Sequence, residues 1–313
     1  MKLNTRKIVY FTGLISTMTI SFFTLDKYKF EKEVYTHESY ENNHDANIIA
    51  HRGFSSLEVE NSYNAIKKGL LCNCTDGVEI DVRLTKDNEI VLSHDPYIFG
   101  IGEIKDKNYQ DIKDKSISNN SLTKLTLLKE CVIGKDGKLI YDRYMSSSNN
   151  EECLTTLDEV LNINDKKMLL VDIKFNDNDE IFIDKINNIF KDYNGYFNII
   201  FQSSNYNSLS NMKEKYPNYD YQLIIGKKKN LKYLNSDFNN FCIRKNLVTK
   251  DIIKSLNNQN KNVQVWTINS YNDYYELYEN LGEYINDIYI ITDYPDEICY
   301  LHSQKKKSKL LIK

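Results

Sequence analysis

Proline and glycine are scarce in this chain, at 3 and 11 of 313 residues. That excludes a collagen-like, fibrous or linker-rich protein. An excess of one charge sign is also missing. With 41 Lys and Arg against 44 Asp and Glu, the net charge is −3, and no basic footprint for nucleic acid exists. Zinc-type cysteine spacing is absent. The six cysteines are Cys72, Cys74, Cys131, Cys153, Cys242 and Cys299. Cys72 and Cys74 are too close for an easy mutual bridge. Cys131 and Cys153 flank a polar insertion and are the expected pair, while Cys242 lies in an apolar run and reads as a buried thiol. The 24 tyrosines accompany abundant Asn, Lys and Ile and read as compositional bias.

Long hydrophobic runs are missing too, with one exception. Ile8 to Leu25 carries no charge, follows Lys2, Arg6 and Lys7, and ends at Asp26-Lys27. Its length just suffices to span a bilayer. No small-x-small cleavage site follows it. Residues 1–25 are therefore expected to be an uncleaved membrane anchor, with a cleaved signal segment as the alternative. Residues 26–46 read as a polar tether. Basic residues stay on the cytoplasmic side, so the remainder is expected outside the cytoplasm. Residues 302–313, with Lys305-Lys306-Lys307, read as a solvated basic tail.

From residue 47 to 301, short apolar runs alternate with amphipathic stretches. Eight runs begin near Ile48, Gly77, Met168, Asn198, Tyr221, Phe241, Val263 and Ile288. Strands that are apolar on both faces and alternate with helices predict a parallel sheet. Eight such units predict a closed (β/α)8 barrel. A ninth run, Ile90-Val91-Leu92-Ser93-His94, follows the second strand after only Lys86 to Glu89. A parallel crossover needs about a dozen residues, so this run must return as a hairpin and bring His94 back towards Glu79 and Asp81. Residues 97–153 break the repeat and form an insertion expected at the catalytic face. Thr155 or Thr156 is expected to cap the helix that follows.

The chemistry is concentrated in residues 49–95 and at a few later strand ends. Catalytic groups of such barrels sit at the C-terminal ends of the strands. Glu79, Asp81 and Asp172 stand there, in otherwise apolar runs. Glu79 and Asp81 are two apart and share a strand face. A buried carboxylate without a partner costs several kcal/mol. Either Lys174 or Arg83 neutralises these groups, or a hard divalent cation with oxygen ligands, Mg2+ or Ca2+, lies among them. His51 and His94 can move protons near neutral pH, and Arg52 can grip a phosphate oxygen.

His51-Arg52-Gly53, Val59-Glu60-Asn61-Ser62, Glu79-Ile80-Asp81 and His94-Asp95 resemble, in order and spacing, the motifs of the glycerophosphodiester phosphodiesterase family. Val59 and Ser62 replace that pattern's Pro and Thr. The resemblance spans residues 47–301. It implies hydrolysis of a small glycerophosphodiester to an alcohol and glycerol 3-phosphate, with His51 and His94 as general acid and base. His51 is expected to activate the attacking oxygen and His94 to protonate the leaving alkoxide. The resemblance also implies Glu79 and Asp81 as metal ligands. The third ligand falls on Asp172-Ile173-Lys174, where the family carries Glu-x-Lys, so this carboxylate is one methylene short. Lys174 adds positive charge at the phosphate. Glu60 is expected to complete the metal shell or bind a glycerol hydroxyl, with a role at a helix N-terminus as the alternative. Trp266, in Trp266-Thr267-Ile268-Asn269, resembles the family's Trp-Thr-x-Asn strand, which implies a ring at the barrel mouth packing on glycerol carbons; a buried core Trp is the alternative. Ile291-Thr292-Asp293-Tyr294-Pro295 matches the family's closing motif and reads as mainly structural. His37, His44 and His302 receive no role. Two alternatives remain: a lyase or phospholipase D-like enzyme acting on intact lipid, and a non-catalytic surface-binding barrel.

Overall fold

The computed structural model describes residues 47–98, 101–114, 153–163, 165–176 and 179–310. The expected anchor and tether, and most of the insertion, lie outside the described residues. Among those described, no helix is long and apolar enough to cross a membrane.

Eight parallel strands close into a barrel: β1 (Asn47–Ala50), β2 (Gly77–Leu84), β6 (Met168–Ile173), β7 (Asn198–Ser203), β8 (Asp220–Ile225), β9 (Asn240–Arg244), β10 (Asn262–Trp266) and β11 (Ile288–Thr292). Each pairs with its chain neighbour in the parallel series, and β1 closes the ring on both β11 and β2. The runs are buried almost throughout; β6, for example, is Met-Leu-Leu-Val-Asp-Ile with only its first residue part-exposed. Strand alternation sends Ile49, Leu170, Ile200, Ile224, Cys242 and Ile291 into one interior cluster. Cys242 is thus the buried thiol expected.

The opposite parity packs under helices. Ser62 caps α1 (Tyr63–Leu71) by accepting from the Ala65 N–H, and this helix buries Ala65, Ile66 and Leu70. The later helix Asp179–Phe190 buries Phe182, Ile183, Ile186 and Phe190. Each such side chain contributes roughly 1.5–3 kcal/mol.

The ninth run is β3 (Ile90–Leu92), antiparallel to β2 with Val82 opposite Leu92 and Leu84 opposite Ile90. The hairpin is therefore as expected. The start of the insertion forms a small two-stranded unit, β4 (Tyr97–Ile98) with β5 (Gly102–Glu103). Ile98, Ile104, Ile112 and Leu154 gather with Val91 as a satellite core. Thr156 is the cap of the helix Leu157–Leu161, in a reciprocal box with Glu159; Thr155 instead accepts from the Tyr63 N–H at 2.9 Å.

Two expectations change. Cys74 bonds Cys299, with Cα atoms 6.0 Å apart across 225 residues of sequence. Cys131 lies outside the described residues, and Cys153 is an exposed free thiol. The stretch expected as a tail from residue 302 continues the last helix, which runs from Pro295 to Leu310. His302 is buried and pairs through Nδ1 with the Tyr274 hydroxyl at 3.0 Å.

Candidate active site

Strand register assembles the carboxylates. Asp81 on β2 lies opposite Asp172 on β6, and Glu79 sits one pleat deeper on the same face as Asp81. All three are buried, and one oxygen from each lies within 4.8 Å of the others. Lys174 places its Nζ 2.7 Å from Asp81 Oδ1 and 2.5 Å from Asp172 Oδ2.

The turn after β1 supplies the second layer. Arg52 adopts φ +55 and Gly53 φ +78, left-handed conformations that cost a non-glycine residue roughly 1–2 kcal/mol. Gly53 is required, because a Cβ there would stand 2.4 Å from the Ala65 backbone carbon. The Arg52 strain is held by its own backbone: the N–H donates to Glu79 Oε2 at 3.1 Å and the carbonyl accepts from the Asn61 N–H at 3.0 Å. Its guanidinium is fixed by Glu60 at 2.9 Å and Asp81 at 3.1 Å. Glu60 thus meets Arg52 and stands apart from the three-carboxylate group. Asn61, also left-handed at φ +60, grips Asp81 from both sides. Its amide donates to Asp81 Oδ2 at 2.8 Å, and its carbonyl accepts the Asp81 N–H at 2.9 Å.

Each catalytic-type histidine has an aspartate. His51 Nδ1 pairs with Asp293 Oδ1 at 2.6 Å, and its Nε2 lies 3.9 Å from Glu79. Asp293 is itself held by Ser55 at 2.9 Å and by Asn269 at 2.7 Å. The closing motif therefore reaches the site directly, and its reading as structural is incomplete. His94 Nδ1 pairs with Asp95 at 2.8 Å, and Arg83 donates to the His94 carbonyl. Arg83 positions the histidine rather than a carboxylate.

Burial sets the charge states. It raises Glu79 to about 7, helped by the neighbouring Asp81. Burial also opposes charge on Asp81, but Lys174 and Arg52 outweigh it and hold that carboxyl far below its usual range. Asp172 is raised, again mainly by burial. On His51, burial and Arg52 disfavour the charged ring, yet Asp293 and Glu79 prevail and its pKa is raised. His94 is lowered by burial and Arg52. Asp293 is held at about 2; burial opposes this, but His51 more than offsets it.

An oxygen-only donor set of two Asp and one Glu suits a hard divalent cation. Lys174 and Arg52 already compensate Asp81, whereas burial leaves Glu79 raised to about 7 and Asp172 raised as well. The residues present fit such an ion.

Sequence reasoning passed over a run of buried amides beneath this rim. Gln222 donates to Gln202 at 2.8 Å and to Gln264 at 3.0 Å, and Gln202 donates to Glu79 at 3.4 Å. Their signal was present: each is a polar residue at an inward position of an apolar strand. Trp266, the last residue of β10, is half-buried against the interior cluster.

A barrel of this kind hosts many unrelated reactions. Two histidine–aspartate pairs flanking an acidic, cation-compatible pocket, with a fixed guanidinium beside it, narrow the class to a hydrolase of phosphoric diesters. Similarity to known proteins specifies which. Residues 51–297 match the glycerophosphoryl diester phosphodiesterase family, and the chain belongs to that family. YhdW of Bacillus subtilis (strain 168) is 27% identical over 258 residues, covering 80% of this chain and 96% of YhdW. An Oleispira antarctica phosphodiesterase, solved with the product sn-glycerol-3-phosphate, superposes with TM-score 0.63 at 19% identity, covering 82% of this chain and 96% of that one. A Thermotoga maritima glycerophosphodiester phosphodiesterase gives TM-score 0.54 at 22% identity, covering 85% and 100%.

Proposed function

We propose that this enzyme releases sn-glycerol 3-phosphate from a small, soluble glycerophosphodiester, using a divalent cation, Ca2+ or Mg2+, held by Glu79, Asp81 and Asp172. The observation that carries this reading is the convergence of those three carboxylates within 4.8 Å, beside the His51–Asp293 pair.

Asp293 fixes the Nδ1 side of His51 and leaves Nε2 facing the pocket. The same aspartate raises the proton affinity of the ring, which strengthens His51 as the base for the attacking hydroxyl. The lowered affinity of His94 makes its charged form a stronger acid towards the leaving alkoxide. Arg52, locked by Glu60 and Asp81, offers a preoriented guanidinium to a phosphate oxygen, and Lys174 adds a second positive charge. The bound cation would supply further stabilisation of negative charge on the phosphoryl group. Trp266 covers the glycerol carbons.

We place the barrel outside the cytoplasm, tethered by residues 1–25. Lys2, Arg6 and Lys7 ahead of the apolar run support this orientation. So does the Cys74–Cys299 bond, since disulfides persist in oxidising compartments. Protease shaving of intact cells should remove the barrel; recovery of the untagged chain in the soluble cytoplasmic fraction would refute the placement.

The substrate reading is tested by phosphorus NMR of the purified full chain with glycerophosphoglycerol and, separately, with phosphatidylglycerol vesicles. Glycerol 3-phosphate should form from the soluble diester at a rate well above any cleavage of the lipid. Turnover of the lipid alone would make this a lipid-acting enzyme.

A further inference from the structure

The wall of the mouth facing β1 and β2 has a different character. In an eight-strand ring, β8 and β9 lie four places from β1 and β2. Strand β8 ends at Ile225 and is followed by Gly226-Lys227-Lys228-Lys229, with all three lysines exposed. Strand β9 ends at Arg244, also exposed. Arg244 shares strand parity with Cys242, which belongs to the interior cluster, so the arginine is on the mouth side of its strand. Among the described residues, Lys227, Lys228, Lys229 and Arg244 take part in no ion pair. Their neighbour Lys245 is paired with Asp273.

Trp266 links this wall to the pocket. It is the register partner of Arg244, and its ring lies against Gly226, 3.5 Å from where a Cβ would be. A substrate that reaches past the indole therefore meets a group of cations that no described residue neutralises.

We propose that the β8–β9 wall is a subsite for a second anionic group on the substrate, beyond the scissile phosphate, with Arg244 and the Lys227–Lys229 run as its ligands. The favoured substrate is then a glycerophosphodiester that carries a further phosphate. The inference rests on the glycerophosphodiesterase reading but does not follow from it: a diester with a neutral or cationic alcohol needs no such wall. Exposed Lys–anion contacts are individually weak, and three or four together give about tenfold in selectivity.

The test compares glycerophosphoglycerol with the same molecule bearing a terminal phosphate monoester, for the full chain and for Arg244→Gln and the triple Lys227→Gln, Lys228→Gln, Lys229→Gln variant. The expected wild-type preference for the phosphorylated substrate in kcat/KM is about tenfold, expressed in KM and weakening with added salt. Each variant should bring the ratio of the two substrates towards one. Equal kcat/KM for both substrates in the wild type would overturn the subsite, as would a ratio unchanged in both variants. Variants that lose binding to anionic phosphatidylglycerol vesicles while keeping the substrate ratio would assign the wall to the membrane surface and overturn it equally. Calorimetric binding of both substrates reads the same ratio without turnover, so an inactive preparation would count against the hydrolase and not against this wall.

Discussion

The two rims of the barrel hold their polar groups in opposite ways. At the C-terminal rim, ionisable side chains meet each other: Lys174 with Asp81 and Asp172, Arg52 with Glu60 and Asp81, His51 with Asp293. At the N-terminal rim, side chains mostly meet backbone. Asp76 accepts the Ile48 N–H at 2.8 Å, Lys167 donates to the Cys72 carbonyl at 2.7 Å, and Asn240 donates to the Tyr221 carbonyl at 3.0 Å. Gly77 packs so closely on β6 that a Cβ would lie 2.3 Å from the Met168 carbonyl oxygen. The Cys74–Cys299 bond joins the loop before β2 to the last helix. Backbone partners are present in any folded copy and fix closure of the ring. Buried charges tied to other charges are poor sources of net stability, and the left-handed Arg52 stores strain. Such an arrangement is expected where a site is held ready for a ligand.

This contrast is most sharply broken by mutating the histidines. His51→Ala and His94→Ala should each lower kcat by about 10²–10⁴-fold, the range for lost proton transfer, with little change in the unfolding midpoint. A folded His94→Ala enzyme with near-normal kcat would remove that residue from the chemistry.

Asp293→Asn comes next, at about 10²-fold in kcat, because it acts through His51. Its signature is a pKa. Asp293 raises His51, so the substitution should lower the imidazole titration followed by NMR. The sign carries into stability. His51, with a raised folded value, contributes stability that is complete below the ordinary histidine pKa and is lost as pH rises through the raised one. Asp293, held at about 2, contributes stability that is present above the usual carboxylate pKa and is lost as pH falls towards 2. Both slopes should flatten in Asp293→Asn; an unmoved His51 titration would mean that the 2.6 Å pair does not form in solution.

At the other rim the expected pattern is reversed. Cys74→Ser should cost about 2–4 kcal/mol in urea unfolding while kcat of the folded enzyme stays at the wild-type level. A loss of kcat with unchanged stability would erase the division between the rims.

These residues also show what could be read in the chain. Glu79, Asp81 and Asp172 were visible because an acid at the end of an apolar run contradicts its surroundings. The β2–β3 hairpin was visible because Lys86 to Glu89 is too short for anything else. Local pattern carries no information on partners distant in sequence. His51 and Asp293 are 242 residues apart, and Cys74 and Cys299 are 225 apart. Only ring closure between β1 and β11 brings the first pair together. The Asn61 grip on Asp81 depends on a left-handed backbone, which Asn tolerates but does not announce.

The smallest effect concerns Asp172, the proposed third ligand. Asp172→Glu extends the carboxylate by about 1.5 Å, one carbon–carbon bond. Ca2+ tolerates varied ligand distances and Mg2+ does not. The substitution should therefore change the ratio of kcat in the two metals by a few-fold and leave KM nearly constant. A shifted KM with an unchanged metal ratio would place Asp172 against substrate and move the third ligand elsewhere, with Glu60 the first candidate.

The most direct measurement is glycerol 3-phosphate release from glycerophosphoglycerol by the full chain, before and after dialysis against EDTA, with Ca2+ or Mg2+ then restored. Release should fall to background after chelation and return with the cation, as the proposed three-carboxylate site predicts. Full activity in excess EDTA would contradict the account.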